Sequence, residues 1–210
     1  SASIVRLQDG KIVELEEIID EASIAAQFEA MMGEASEGGE DSAGITAAEV
    51  VAEGLNGPMG VLLDDEGNLW VVDSGVGGAE EVAFTDPATG EEMVATVGDT
   101  SRIVMVAPDG TQTDVAVLPS VLQGGEGSGG NRLAILDDVL YVTSGGWVEG
   151  IPVDRMPLIA AIGAVGDDGT VEEIANTWEF ELAENPDGFV AESHPYGLAA
   201  GADGLLWVAD

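Results

Sequence analysis

Cysteine is absent and cations are nearly so: Lys11 and four arginines stand against 41 carboxylates in 210 residues, a formal net charge of −36. Without cysteine the chain has no disulfide, no cysteine-ligated zinc or iron–sulfur centre and no thiol nucleophile. With so few cations it repels nucleic acid and anionic membrane, because both present dense negative charge. A nucleic-acid partner is therefore excluded. Membrane insertion is not expected either, since no apolar run approaches the roughly 18 residues of a spanning helix, and no signal-peptide pattern follows Ser1. No D-x-[DN]-x-[DN]-G loop is present, and the glycine-rich GGEGSGG of residues 124–130 has no lysine to make it a phosphate loop. No serine sits in a G-x-S-x-G setting. The acidic excess reads first as a solvated skin of the halophilic kind. At about 1 M salt a Debye length of ~3 Å screens its self-repulsion.

What the chain does have is repetition. GLNGPMGVLLDDEGNLWVVDS, residues 54–74, returns as HPYGLAAGADGLLWVAD, residues 194–210; setting Pro58 on Pro195 (195 − 58 = 137) superposes Trp70 on Trp207 and Asp73 on Asp210. NRLAILDDVLYVTSG, residues 131–145, is a looser copy. Each is an apolar run, a polar turn with Asp or Gly, and a second β-branched or aromatic run, which is the pattern of an antiparallel hairpin. A second, more polar hairpin type alternates with it, at residues 3–17 (around Asp9-Gly10), 101–115 (around Asp109-Gly110) and 158–174.

One hairpin of each type makes a four-stranded unit, and repeated units must stack to bury a shared core. The expected fold is all-β, a β-propeller with four-stranded antiparallel blades. About three blade-equivalents are present: residues 45–118, residues 119–178 and a partial one at residues 193–210, for which residues 1–18 supply an orphan outer hairpin. Taken as a circle, WVAD followed by SASIVRLQDGKIVELEE completes that third unit. Three blades do not close a ring, so the expectation is half of a six-bladed propeller. Either a longer chain closes it, the favoured reading because the sequence starts and stops inside a blade, or two copies form a dimer. Residues 19–44 are expected to hold a helix, over residues 20–35, and an acidic connector. Residues 45–55 are expected to be an outer strand. Residues 75–100 and 144–157 are longer than hairpin turns need, as functional loops often are. Residues 124–130 are expected to be a flexible lead-in to the second blade.

With the repeats in view, GLNGPMGVLLDDEGNLWVVDSGVGG, the LPS of residues 118–120, and ENPDG at residues 184–188 followed by SHPYGLAAGADGLLWVAD resemble the ScyD/ScyE family, over about residues 49–210. The GxLWVxD repeat alone is shared with NHL repeats and with gluconolactonase-like and streptogramin-lyase-like propellers. The resemblance implies a six-bladed propeller in an extracellular or periplasmic setting, with a binding or accessory role. It names no catalytic residues.

The strands of a hairpin are antiparallel, so the start of the first and the end of the second emerge together. That places Asn56, Asn131 and His194, with Asp73, Ser144 and Asp210, on one rim around the axis, where a small molecule or a protein would bind. Asn56, Asn131, Ser144, Trp147 and His194 are the candidate ligand contacts. Asp73 and Asp210 are candidate ligands for a divalent cation such as calcium, as hard oxygen donors; in gluconolactonase-like propellers such a metal polarises a lactone carbonyl and activates water, which makes a metal-dependent hydrolase or lyase the alternative function. The competing role for both aspartates is to accept backbone N–H bonds in the turn after each strand. His194, the single histidine, is a candidate base or a turn residue beside Pro195. Trp70 and Trp207 fall mid-strand and are expected in the packing between blades, whereas Trp147, in a glycine-rich segment, is the better candidate for ligand contact.

Overall fold

The computed structural model describes residues 2–8, 11–18, 50–85, 89–151, 154–185 and 188–210. Among them every strand pairs antiparallel, and the regular structure is all β apart from one short helix. The inner hairpins are β3 (Pro58–Leu63) with β4 (Leu69–Asp73), β9 (Gly130–Leu136) with β10 (Val139–Ser144), and β15 (Gly197–Ala200) with β16 (Leu206–Ala209). The outer ones are β6 (Glu92–Val106) with β7 (Gln112–Gln123), β12 (Ala161–Val165) with β13 (Val171–Asn176), and β1 (Ala2–Gln8) with β2 (Lys11–Ile18).

Turn chemistry fixes where each hairpin reverses. In the first, Gly67 takes φ +84 and closes the turn on the Asp64 carbonyl at 3.1 Å. Asp64 then accepts from the Asn68 backbone (2.8 Å), the Asn68 amide (2.9 Å) and the Trp70 indole N–H (2.7 Å). These donors hold its carboxyl below the usual carboxylate range, the Trp70 bond first among them. The DxxGNxW spacing is thus one hydrogen-bonded unit. Trp207 occupies the same register, opposite Ala199 as Trp70 is opposite Leu62 (62 + 137 = 199). Its indole lies over Gly201, the position matching Asp64 (64 + 137 = 201), so close that a Cβ there would come within 2.5 Å of Nε1. The outer turns repeat a different unit: Asp109 Oδ1 accepts from Thr111 N at 2.9 Å and Asp168 Oδ1 from Thr170 N at 3.0 Å.

The hairpins join pairwise, as the alternation of types leads one to expect, into sheets ordered β3-β4-β6-β7, β9-β10-β12-β13 and β15-β16-β1-β2. In the last of these the amino-terminal hairpin completes the carboxy-terminal one, with Ile4 opposite Ala209 and Leu7 opposite Leu206. Among the described residues no sheet closes on itself. Val72, Ile103, Ala116 and Leu118 of the first sheet pack with Leu133, Leu140 and Val142 of the second, and Ile162 and Ala175 of the second pack with Val208 of the third. The second sheet is therefore covered on both faces. Trp70 packs against the first of these clusters. Val72, Ile103 and Val142 are fully buried, and each such side chain stabilises the stack by about 1.5–3 kcal/mol. The first strands converge: β9 lies against both β3 and β15. Gly60 of β3 permits this approach, since a Cβ there would come 2.6 Å from the Asn131 carbonyl oxygen.

Several elements differ from expectation. Residues 50–57 form no strand; residues 45–49 and the helix expected at residues 20–35 fall outside the described residues. The lead-in at residues 124–130 is not a free linker: Gly124 and Gly125 turn at positive φ and β8 (Glu126–Ser128) pairs back onto β7. Residues 75–100 hold β5 (Glu80–Thr85), which pairs with the long first half of β6. A helix, α1 (Thr177–Glu184), follows β13. Asn176 caps it, accepting from Glu179 N at 3.1 Å, and Asn185 ends it in a left-handed conformation with its N–H on the Glu181 carbonyl. Asn185, the first polar residue of NPDG, thus has a capping role.

Candidate functional site

Beyond the four-stranded part of the first sheet, β6 and β7 continue past a register shift between Gly98 and Ser101. There β5 adds to the edge of β6 and β8 to the edge of β7, making a wall. Side chains alternate across a strand, so one face of this wall is set by register. Glu80, Val97, Val121 and Ser128 form one row across it; Val82, Ala95, Gln123 and Glu126 form the next. Residues 74–78 tie the wall to the sheet below: Ser120 Oγ donates to the Ser74 carbonyl at 2.7 Å and accepts from Gly77 N at 3.0 Å, and Thr100 Oγ1 donates to the Gly77 carbonyl at 2.6 Å.

Facing it is the segment after β10. Here β11 (Trp147–Val148) pairs with β14 (Glu192–Ser193), and Trp147 packs with Ile159, Ala160, Trp178 and Ala191. Arg155 fixes the following turn through Glu173 (3.0 and 2.7 Å) and the carbonyls of Met156 and Ile159. Between wall and segment lies a cavity of about 900 Å³. Val82, Phe84, Val97 and Val121 line one side, Trp147, Ile151, Met156 and Phe189 the other, and Met59, Asn131, His194 and Tyr196 lie where the first strands of the three sheets begin.

The sequence-derived candidates divide. Asn131, Trp147 and His194 line this cavity; Asn56, Asp73, Ser144 and Asp210 do not. Asn131 is buried with its amide donating to the Pro195 carbonyl at 3.3 Å, which ties the second sheet to the third. Trp147 is 7% exposed, so little of its surface is open to a ligand. His194 is exposed, and its ring rests against Gly146, where a Cβ would come within 2.3 Å of Nδ1. Asn56 is exposed and gives its backbone N–H to Asp73. Ser144 is buried, and its hydroxyl has no hydrogen-bond partner among the described residues.

The two repeated aspartates serve their own turns. Asp73 is fully buried; its Oδ1 accepts from Gly57 N (2.7 Å) and Gly75 N (3.2 Å), its Oδ2 from Asn56 N (2.9 Å) and Arg102 Nε (3.4 Å). Burial pushes this carboxyl up, but the donations together outweigh burial and hold it below the ordinary range. Asp210 accepts from His194 N at 2.5 Å and Ser193 Oγ at 3.0 Å. With fewer donors, burial wins there and raises its carboxyl above the ordinary range. A cation at Asp73 would have to displace donors already in place. Among the described residues no cluster of three metal-ligating side chains occurs.

Two residues at the convergence went unnoticed in the sequence. Arg132 donates through Nη1 to the Met59 carbonyl of the first sheet and to the Asn131 carbonyl at 2.9 Å, and its guanidinium sits 4.3 Å over the Tyr196 ring of the third. Arg102 and Arg155 pair with carboxylates; among the described arginines of known side-chain surroundings, Arg132 alone has none. Among the described residues no lysine or arginine lines the cavity, whereas Glu80, Glu126, Asp154 and Glu192 do. No family model, curated protein or solved structure matches the chain.

Proposed function

We propose that the chain supplies three blades of a β-propeller of the ScyD/ScyE kind and acts by binding a ligand at the rim of the propeller axis, not by catalysis. The observation behind this reading is the cavity's position: two long insertions rise beside the starts of β3, β9 and β15 and enclose an apolar space there. At about 900 Å³ it falls within the range of small-molecule sites, roughly 300–1,000 Å³, which are mostly apolar with a few placed polar groups. The order of strands within each four-stranded sheet, inner hairpin then outer, supports the blades. Six blades are reached by further chain or by a second copy. The extracellular or periplasmic setting rests on the family resemblance. The competing reading is a metal-dependent hydrolase or lyase, with a divalent cation such as calcium.

One experiment separates them. A panel of small apolar and aromatic compounds is screened by thermal shift against the wild-type chain and a Val82→Trp variant that fills the wall side of the cavity, and lactone hydrolysis is followed with and without calcium. Ligand-dependent stabilisation lost in Val82→Trp supports binding. Calcium-dependent lactone turnover that Val82→Trp leaves intact refutes it.

A further inference from the structure

The chemistry lining the cavity goes further than its shape. The chain has few aromatic residues, 4 Trp, 2 Tyr and 4 Phe, yet Phe84, Trp147, Phe189 and Tyr196 all line this one space. Phe84 and Trp147 lie deep, 6% and 7% exposed, while Phe189 and Tyr196 stand open at 78% and 44%. With them are four carboxylates, Glu80, Glu126, Asp154 and Glu192. None of the four side chains has a hydrogen bond or ion pair to the described residues. All four are exposed, so water solvates them when the cavity is empty, and a bound cation exchanges that water for charge-assisted contacts. An aromatic face attracts a cation through its quadrupole. Tyr196 already does so within the fold, where it holds the Arg132 guanidinium 4.3 Å from its ring centre. An anion meets the reverse conditions: among the described residues no lysine or arginine lines the space, and the chain's formal net charge is −36.

We infer that the cavity selects an organic cation, an aromatic or aliphatic body bearing a quaternary or protonated amine, over neutral and anionic molecules of the same shape. The apolar body packs between the wall of β5 to β8 and the Trp147 segment, and the charged head lies among Phe189, Tyr196 and the carboxylates. This inference rests on the rim-binding reading above and specifies its ligand class.

The test uses three probes of one shape: naphthylmethyl-trimethylammonium, naphthalenemethanol and naphthylacetate, each titrated calorimetrically into the full chain at 0.15 M and at 1 M salt. High salt shortens the Debye length to about 3 Å and removes the long-range field of the whole molecule. The cation is expected to bind about tenfold tighter than the alcohol at either salt, a step within reach of one desolvated cation–π contact, with naphthylacetate weakest. Glu80→Gln with Glu192→Gln should weaken the cation about tenfold and leave the alcohol unchanged. Equal affinity of cation and alcohol overturns the charge selectivity while leaving a rim site. A preference that vanishes at 1 M salt overturns it too, because the net charge and not the cavity then produced it. Failure of all three probes to bind removes the rim reading as well.

Discussion

Asp73 offers the sharpest test of the local physics, because replacing one oxygen by an amide separates its two pairs of bonds. In Asp73→Asn the remaining oxygen keeps Gly57 N and Gly75 N, and the new NH2 meets the donors Asn56 N and Arg102 Nε. Asp73 is fully buried, and the N–H of the exposed Asn56 loses its bond to a charged acceptor, a cost of about 1.5–3 kcal/mol. Arg102 is part-exposed and still has Asp114, so its loss adds at most about 1 kcal/mol. The expected total is about 3 kcal/mol. Asp210→Asn, in the matching repeat, keeps His194 N on its oxygen, and the Ser193 hydroxyl can turn to accept. It should cost under about 1 kcal/mol. Urea unfolding followed by tryptophan fluorescence in about 1 M salt reads both. At a slope of about 2 kcal/mol/M the Asp73→Asn midpoint falls by about 1.5 M, and the Asp210→Asn midpoint by less than about 0.5 M. An unchanged Asp73→Asn midpoint, or a larger fall in Asp210→Asn, refutes the assignment of Asp73 to its turn. Calcium discriminates further, because an aspartate that ligates the ion makes the wild-type midpoint rise with calcium and the variant's stay fixed.

The same two carboxylates respond to pH with opposite sign. Asp73, held low by its donors, contributes stability in full above the ordinary carboxylate pKa of about 3.9 and loses it as pH falls through its folded value. Asp210, raised by burial, costs stability at neutral pH and is relieved as pH falls through its folded value. The gap between wild type and Asp73→Asn should therefore close below about pH 4, while Asp210→Asn gains on the wild type toward neutrality; unfolding midpoints from pH 3 to 7 check both. Gly146→Ala drives a methyl into the His194 ring and should move the His194 ring resonances in the proton NMR spectrum, with a stability loss of about 1–3 kcal/mol for the overpacking. Arg132→Met removes the tie from β9 to the Met59 carbonyl and the Tyr196 ring; a loss of about 1–3 kcal/mol is expected, with Arg132→Lys in between, by the same urea assay.

How much of this was legible follows from the range of the interactions involved. Hairpins were legible because their signals are local: DDEGN, PDG and GDDG each set a turn within five residues, and the 137-residue offset between Trp70 and Trp207 exposed the repeat. The match of WVAD to the amino-terminal hairpin was legible for the same reason, since each half of that sheet follows the pattern of the first. The cavity wall was missed although its signal is present. VAF at residues 82–84 and MVATV at residues 93–97 flank a stretch of sequence bearing Pro and Gly, a hairpin hidden by the expectation that a long segment between strands is a loop. The helix α1 was missed despite Asn176 and Glu179 in capping positions, because its eight residues are too short for an apolar stripe to show.

The site itself draws on contacts no local pattern encodes. Asn131, Trp147 and His194 were reached by asking which residues start and end strands on one side, a rule that knows topology but not side-chain direction. It therefore also returned Asp73 and Ser144, which sit on the correct side but face their own turns or the interior. Arg132 differs from Asn131 by one residue and went unnoticed, yet it is the side chain that touches all three sheets. One position along a strand reverses the face. In a chain of −36 net charge, a cation that pairs with carbonyls and an aromatic ring instead of the abundant carboxylates is held there by the convergence of the sheets. The position of β9 between β3 and β15 therefore sets where Arg132 can reach, from the Met59 carbonyl on one side to the Tyr196 ring on the other.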